Sequence, residues 1–475
     1  MTLRVWQQRC LEEVFVKFSS GQRHFLCLAT PGAGKTRMAA EVAKNLLEQN
    51  KVDFVFCFSP SISTAKGMRD TLEATLGISM SGLIGSKGVC VTYQSLNHKD
   101  EYFWDMFRQH KVFAIFDEIH HCGGNEIENA NVWAMHILRN IHSNASYTLA
   151  LTGTPWRSDS RPVTLSRYDQ VDGNLYCDFE YGLAEAIKDG VCRIPKITAV
   201  DNNNISVAKS IGNKTKYTSI KDMLENGSVS YQSIVENETV IDFCISEANK
   251  QLTKVRKYNP SAAGLVVASS VAHAELIAEK LKCISENSVS IVSYKNPFSE
   301  ELINTFQRSQ EKWLVSVGMV SEGTDIPRLQ VCCHLTRIKT ELHFRQILGR
   351  IIRMTQNDLT HEAYLYSPAQ PQLIEYAQRL HRDIPEEVRP IKTLVSTDSV
   401  KLTKKIEGTL DEKNIKTTES NGNTVIKAPS NVTSPNRLQT SLLDNYINGL
   451  LFEGEFSSRY IEACFLSKES SIKQH

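Results

Sequence analysis

The sequence predicts an α/β protein of two tandem domains, each a parallel sheet flanked by helices, with a polar linker or insertion between them and a C-terminal tail. Three observations carry that expectation. At 475 residues the chain is longer than one hydrophobic core usually organises. Apolar runs such as Phe54 to Phe58 and Val112 to Phe116 are too uniform for half-exposed strands and alternate with stretches of helical spacing, the pattern of parallel strands covered on both faces. After a polar interval the alternation begins again, with runs at Gly264 to Ala268, Val289 to Val292, Trp313 to Val317 and Val331 to Leu335.

Composition narrows the class. A hydrophobic content of 41% is ordinary for a globular protein, and a formal charge of +1 gives no global sign of a polyanion-binding chain, so any basic track is local. The N-terminus, Met1-Thr2-Leu3-Arg4-Val5-Trp6, lacks the apolar core of a signal peptide, and no run of about 18 apolar residues occurs, so a cytoplasmic protein without a membrane is expected. The 12 cysteines are scattered without a C-x-x-C, which argues for buried reduced thiols over disulfides or zinc. His120-His121-Cys122 is the densest ligand-like cluster, a weak metal signal without a second spaced pair.

The chain is organised around Ala29-Thr30-Pro31-Gly32-Ala33-Gly34-Lys35-Thr36, which follows the apolar run Phe25 to Leu28 and opens a segment with Met38, Val42 and Leu46 at helical spacing. Strand, loop and helix in that order make a phosphate cradle: the glycines let backbone amides curl round a phosphate chain at a helix N-terminus. Lys35 adds a point charge for the β and γ phosphates, and Thr36 reaches Mg²⁺. Ala29 stands where the usual pattern has its first glycine. Upstream, Gln7 offers the donor and acceptor that suit the edge of adenine, although it equally suits an ordinary polar helix start.

The next strands end in polar residues, Ser59-Pro60-Ser61 and Thr92-Tyr93-Gln94-Ser95. Carboxyl ends of parallel strands are where open α/β sheets bind ligands, and hydroxyls there also cap the following helix. Val112 to Phe116 runs into Asp117-Glu118-Ile119-His120. Two carboxylates delivered beside a phosphate loop divide the work: Asp117 holds Mg²⁺, and Glu118 orients or deprotonates the attacking water. Tyr147 to Leu151 is a further strand, ending in Thr152-Gly153-Thr154-Pro155.

Taken together, the Walker A stretch at Ala29 to Thr36, Asp117 to His120 and Thr152 to Pro155 resemble motifs I, II and III of the superfamily 2 helicases, DEAD/DEAH-like in the broad sense. The resemblance implies two tandem RecA-like domains, with Gln7 in a Q-type motif and Ser59, Thr92 and Gln94 contacting nucleic acid. It gives His120, Thr152 and Thr154 a role in coupling the two sites. Ile119 departs from the commoner Ala or Cys at a position that is not a metal ligand.

In the second half, Val320 to Pro327, with Gly323 and Asp325, and Gln346-Ile347-Leu348-Gly349-Arg350-Ile351-Ile352-Arg353 resemble motifs V and VI, and Ser269 lies near motif IV. By the same resemblance Gly323 and Asp325 belong to the nucleotide site, and Ser269 and Thr336 contact nucleic acid. Ile347 replaces the arginine of DEAD-box members, while both later arginines are present. Arg350 and Arg353 stand three apart, hence on one helical face, and guanidinium forks suit the charge spreading over the γ-phosphoryl oxygens. With Gln346 they complete a catalytic set of Lys35, Asp117, Glu118, Gln346, Arg350 and Arg353.

Domain limits follow from composition. Residues 1–199 are expected to form the first ATP-binding domain, closed by a helix within Tyr181 to Ile194, and 200–258 a polar linker or insertion with a connecting helix whose face is Val240, Ile241, Cys244, Ile245, Ala248, Leu252 and Val255. Residues 259–390 are expected to form the second domain, and 391–475 a partly flexible extension whose apolar end packs back on its own domain or docks a partner.

The resulting expectation is an ATP- and Mg²⁺-dependent helicase or translocase, hydrolysing ATP between the two domains. The motif style is closer to restriction-system motor subunits and DNA repair helicases than to RNA-remodelling proteins, so DNA is expected over RNA. The alternatives are a nucleic-acid-sensing ATPase that recruits or licenses a partner nuclease in defence or repair, and an RNA helicase.

Overall fold

In the computed structural model the described residues are 2–124, 130–153, 162–168, 175–210, 213–227, 229–286, 288–319, 326–354, 358, 360–382, 392–396 and 450–462. The first lobe runs α1 (Val5–Ser19), β1 (His24–Ala29), α2 (Lys35–Glu48), β2 (Phe54–Ser59), α3 (Ile62–Leu76), β3 (Gly88–Thr92), α4 (Glu101–Gln109), β4 (Val112–Phe116), α5 (Val132–His136) and β5 (Tyr147–Thr152). A short hairpin, β6 (Arg167–Tyr168) and β7 (Leu175–Tyr176), leads to β8 (Phe179–Tyr181) and α6 (Leu183–Lys188). The sheet has the order β3-β2-β4-β5-β1-β8, and its strands pair in parallel.

Burial on both faces explains the continuous apolar runs. Cys27, Cys57, Phe113, Ile115 and Leu151 pack with α1, α2 and α3, while Leu26, Phe56, Phe58, Ala114 and Phe116 pack with Trp104 and Phe107 of α4 and Ala134 of α5. A strand exposed on one side would lose the apolar residue at every second position.

The chain crosses at 189–193 into the second lobe: β9 (Ile194–Asn202), β10 (Ile205–Ser210), β11 (Asn213–Tyr217), α7 (Ile220–Asn226), α8 (Tyr231–Val235), α9 (Glu238–Arg256), β12 (Ala263–Ala268), α10 (Val271–Ile284), β13 (Val289–Ser293), α11 (Ser299–Arg308) and β14 (Trp313–Val317). Then follow β15 (Leu329–Leu335), α12 (Glu341–Ile351), β16 (Glu362–Pro368), α13 (Pro371–Arg382), β17 (Lys392–Ser396), β18 (Leu450–Phe452) and β19 (Phe456–Glu462). The second sheet has the order β13-β14-β12-β15-β16-β9-β19-β17. Six strands, β13 to β9 in that order, are parallel, and β19 joins antiparallel to both β9 and β17.

Helix α9 buries the seven residues read from the sequence as its inner face. The polar stretch after Val200 holds more structure than a linker, because its partners come from far along the chain. Asn202 to Asn204 form a tight turn between β9 and β10, where the Asn202 amide donates to the Gly454 carbonyl (2.9 Å) and Asn203 Oδ1 accepts from the Glu455 amide (3.0 Å). Residues 450–462 thus pack back on this lobe, β18 on β10 and β19 on β9.

Candidate active site

Strand β1 delivers the loop from inside the sheet, with Ala29 its last and fully buried residue. Ala29 tolerates a side chain because the left-handed turns come later, at Gly32 (φ 84°) and Gly34 (φ 97°), after which α2 starts at Lys35. The amides that open the helix lie at the positive end of its dipole, beside the cavity that Gly34, Lys35 and Thr36 line.

Lys35 Nζ donates to the Ala29 carbonyl (3.0 Å) and pairs with Glu118 Oε1 (3.1 Å). The other carboxylate oxygen, Glu118 Oε2, accepts from the Gly153 amide (3.0 Å) and lies 3.4 Å from His120 Nδ1. His120 Nδ1 in turn meets Thr152 Oγ1 at 3.0 Å. The end of β4 is therefore tied to the end of β5 through His120 and Thr152, the pair expected to couple the sites, while Thr154 lies outside the described residues. Glu118 is one of few non-glycine residues with positive φ (47°), a costly conformation that turns its side chain from the strand end toward Lys35.

The two carboxylates are driven apart in acidity. Burial, then the charge of Glu118, pushes Asp117 well above the usual carboxylate range. Glu118 suffers the same burial, which raises it, but the Lys35 charge, His120 and the Gly153 amide outweigh it and hold Glu118 below its ordinary value. The Asp117 backbone is fixed from both sides, its amide donating to the Phe58 carbonyl (2.8 Å) and its carbonyl accepting from the Tyr93 hydroxyl (2.8 Å).

The second lobe closes the cavity. Helix α12, capped by the Thr340 hydroxyl, brings Gln346 and Arg350 to a space of 450 Å³ that is also lined by Gly32, Lys35, Thr36, Asp117, Glu118 and Arg353. Arg353 lies just past the helix, in an isolated bridge with Cys192, so the two arginines share the cavity without sharing one helical face. The lobes approach at two glycines: a Cβ on Gly349 would lie 2.7 Å from Pro31 Cβ, and one on Gly32 would lie 2.8 Å from Arg353 Cγ. The glycine of the Gln346 to Arg353 stretch thus marks where helix and phosphate loop touch.

Gln7 does not line the cavity. It is buried beneath the loop, its amide donating to the Gly34 carbonyl (2.9 Å) and accepting from the Arg4 amide (2.8 Å), while Arg4 Nη1 donates to the Ala33 carbonyl (2.8 Å). Gln7 and Arg4 brace the far side of the phosphate loop; Arg4 was not singled out in the sequence, where a lone arginine before a helix carries no signal. Gly323 and Asp325 lie outside the described residues.

The expected nucleic-acid contacts fare unequally. Ser59 is fully buried and offers no hydroxyl to a strand laid over the sheet, because β2 is covered to its last residue. Thr92 is half-buried and Gln94 exposed at the end of β3. On the second lobe Ser269, which donates to Glu236 (2.7 Å), and Thr336 line a separate space of 260 Å³ with Arg337 and His343. Among the described residues no helix is long and apolar enough to cross a membrane, and no group of three His, Cys, Asp or Glu side chains could hold a metal ion.

Residues 1–157 match the family described as type III restriction enzyme, res subunit. The uncharacterised protein Rv2917 of Mycobacterium tuberculosis is 31% identical over 392 residues, 80% of this chain and 63% of the relative, so the chain spans less than two thirds of that protein's length. A fragment described as an HsdR subunit of a type I restriction enzyme from Vibrio vulnificus YJ016 superposes with a TM-score of 0.54 at 16% identity, covering 81% of this chain and 67% of that one. The type ISP restriction-modification enzyme LlaBIII gives 0.53 at 16% identity over 82% of this chain and 30% of that one. These likenesses show the fold, two RecA-like lobes.

Proposed function

We propose that this chain, helicase-like of superfamily 2 by its first 157 residues and its two RecA-like lobes, is a nucleic-acid-dependent ATPase that translocates along or opens DNA. One observation carries the reading: Lys35, Thr36, Asp117 and Glu118 of one lobe and Gln346, Arg350 and Arg353 of the other line a single cavity. The donor set suits a magnesium nucleotide, with amides and Lys35 for the phosphates and hard oxygens, Thr36 and Asp117, for the cation. Bound there, Mg²⁺ would neutralise charge on the β and γ oxygens.

Lys35 makes its ion pair with Glu118 in the chain alone. Drawn toward phosphates, it would leave Glu118 without the charge that holds its pKa low, and the carboxylate becomes a better acceptor for the proton of an attacking water. Arg350 and Arg353 stabilise the charge that spreads over the γ-phosphoryl group, and their position on the second lobe makes hydrolysis depend on closure. A nucleic acid that spans both lobes through Thr92, Gln94, Ser269 and Thr336 favours the closed form by touching both.

DNA is preferred to RNA because the family matched by residues 1–157 is a restriction-enzyme subunit. That name also sustains a second reading, a closing ATPase that licenses a partner nuclease. ATP turnover titrated with single-stranded DNA, duplex DNA and RNA, beside Lys35→Ala and Glu118→Gln, tests both. Stimulation by DNA and loss of turnover in both variants are expected; stimulation by RNA alone overturns the DNA preference, and strand displacement by the isolated protein weakens the licensing role.

A further inference from the structure

The crossing between the lobes contains an arginine that the mechanism above does not use. Arg193 directly precedes β9 and is fully buried, an expensive place for a guanidinium unless its donors are matched. Nη1 donates to the carbonyls of Leu329 (2.8 Å) and Ile351 (2.8 Å), and Nη2 to the carbonyl of Pro327 (3.2 Å) and to Asp358 Oδ2 (2.6 Å). Asp358 is itself held by the Asn259 amide (3.0 Å).

These acceptors are not a random set. Ile351 is the last residue of α12, where a cation also meets the negative end of the helix dipole, and Pro327 and Leu329 frame the entry to β15. The backbone repeats the connection, the Arg193 amide donating to the Ile352 carbonyl (2.6 Å) and Cys192 bridging Arg353. On the other side, Cys192 Sγ rests 3.7 Å from the carbonyl of Pro31 in the phosphate loop. A continuous path thus runs from Pro31 through Cys192 and Arg193 to the end of the helix that carries Arg350.

We propose that Arg193 is a positioning residue for hydrolysis: its guanidinium fixes the end of α12 to the crossing point, so that Arg350 and Arg353 reach the cavity in register with the phosphate loop when the lobes close. This inference rests on the proposed ATPase reading and adds to it the part that sets the trigger's aim. Lysine in its place keeps the charge but not the planar fork that serves four acceptors at once. A displacement of about 1 Å at the reacting groups costs on the order of 100-fold in rate.

The experiment compares the full chain with Arg193→Lys, Arg350→Ala and the double variant, measuring turnover at saturating ATP and DNA together with the nucleotide dissociation constant. Arg193→Lys is expected to bind nucleotide within about threefold of wild type and to turn over about 10- to 100-fold more slowly. Its loss and that of Arg350→Ala are expected not to multiply in the double variant, since a misplaced Arg350 has less to lose. If Arg193→Lys does not fold by circular dichroism, Asp358→Asn, which keeps the guanidinium and its carbonyls, takes its place with the same expected non-additivity. Wild-type turnover in the substituted chain, or losses that multiply, overturns the role of Arg193 alone. A wild type that hydrolyses no ATP under any nucleic acid overturns the reading of the cavity and this inference with it.

Discussion

Gly349→Ala separates the stability of the second lobe from its use. Within α12, alanine is worth about 1 kcal/mol more than glycine by helix propensity, so the helix itself gains. The added methyl, however, would sit 2.7 Å from Pro31 Cβ and 3.0 Å from Pro31 Cγ. Carbon atoms in comfortable contact are about 3.5–4.0 Å apart, so the seam must open by about 1 Å or absorb an overpacking cost of about 1–3 kcal/mol. The contact joins the two lobes, so opening the seam relieves it. Arg350 is the next residue on the same helix and moves with it, and a shift of that size costs about 100-fold in rate. The phosphate loop and Lys35 stay on the first lobe, so nucleotide affinity changes little. The assay is saturating ATP turnover beside a thermal melt: the account expects a melting temperature close to or above wild type and turnover about two orders of magnitude lower. Full turnover in Gly349→Ala would refute the claim that this contact sets the arginines.

Asp117 makes Mg²⁺-nucleotide binding pH-dependent. Because burial and Glu118 raise its pKa to about 7, the cation must displace a proton below that pH, so affinity climbs with pH toward that value and levels above it. Calorimetry in two buffers of different ionisation heat should show proton release, and a buffer-independent heat would contradict it. His334 and His343, buried with ring centroids 5.5 Å apart, are lowered by burial to about 3 and about 4. The native state then binds fewer protons than the unfolded chain, so stability is lost as pH falls below the ordinary 6.5, by about 2 kcal/mol for each histidine at pH 5. Melts at pH 7.5 and 5 measure it, and His334→Leu should lessen the difference. Truncation after residue 449 removes β18 and β19, leaving β9 with an open edge; a lower melting temperature and self-association by gel filtration are expected.

What the sequence revealed was what local chemistry determines. The inner face of α9, the double-covered strands of the first sheet and the turn from Ala29 to Thr36 follow from spacing and residue type, and the six residues expected to carry catalysis line one cavity between that turn and the end of α12. Long-range pairing was illegible. Asn202 to Asn204 read as linker or insertion because the residues that partner them, Gly454 and Glu455 between β18 and β19, lie some 250 residues later in the chain. Ser59 was expected to contact nucleic acid because carboxyl ends of parallel strands are where open α/β sheets bind ligands, whereas β2 is covered by its neighbours to the end. Arg4, bracing the phosphate loop, and Arg193, buried at the crossing, showed no pattern because their acceptors are mostly backbone carbonyls, which any sequence supplies, and the one carboxylate, Asp358, lies 165 residues from Arg193.

The central claim is that a triphosphate is hydrolysed between the lobes with guanidinium groups from the second. The most direct measurement is single-turnover ATP hydrolysis by Arg353→Ala, with nucleotide binding followed in the same samples. The account predicts binding near that of wild type and a rate lower by about 10³-fold; hydrolysis at the wild-type rate would contradict it.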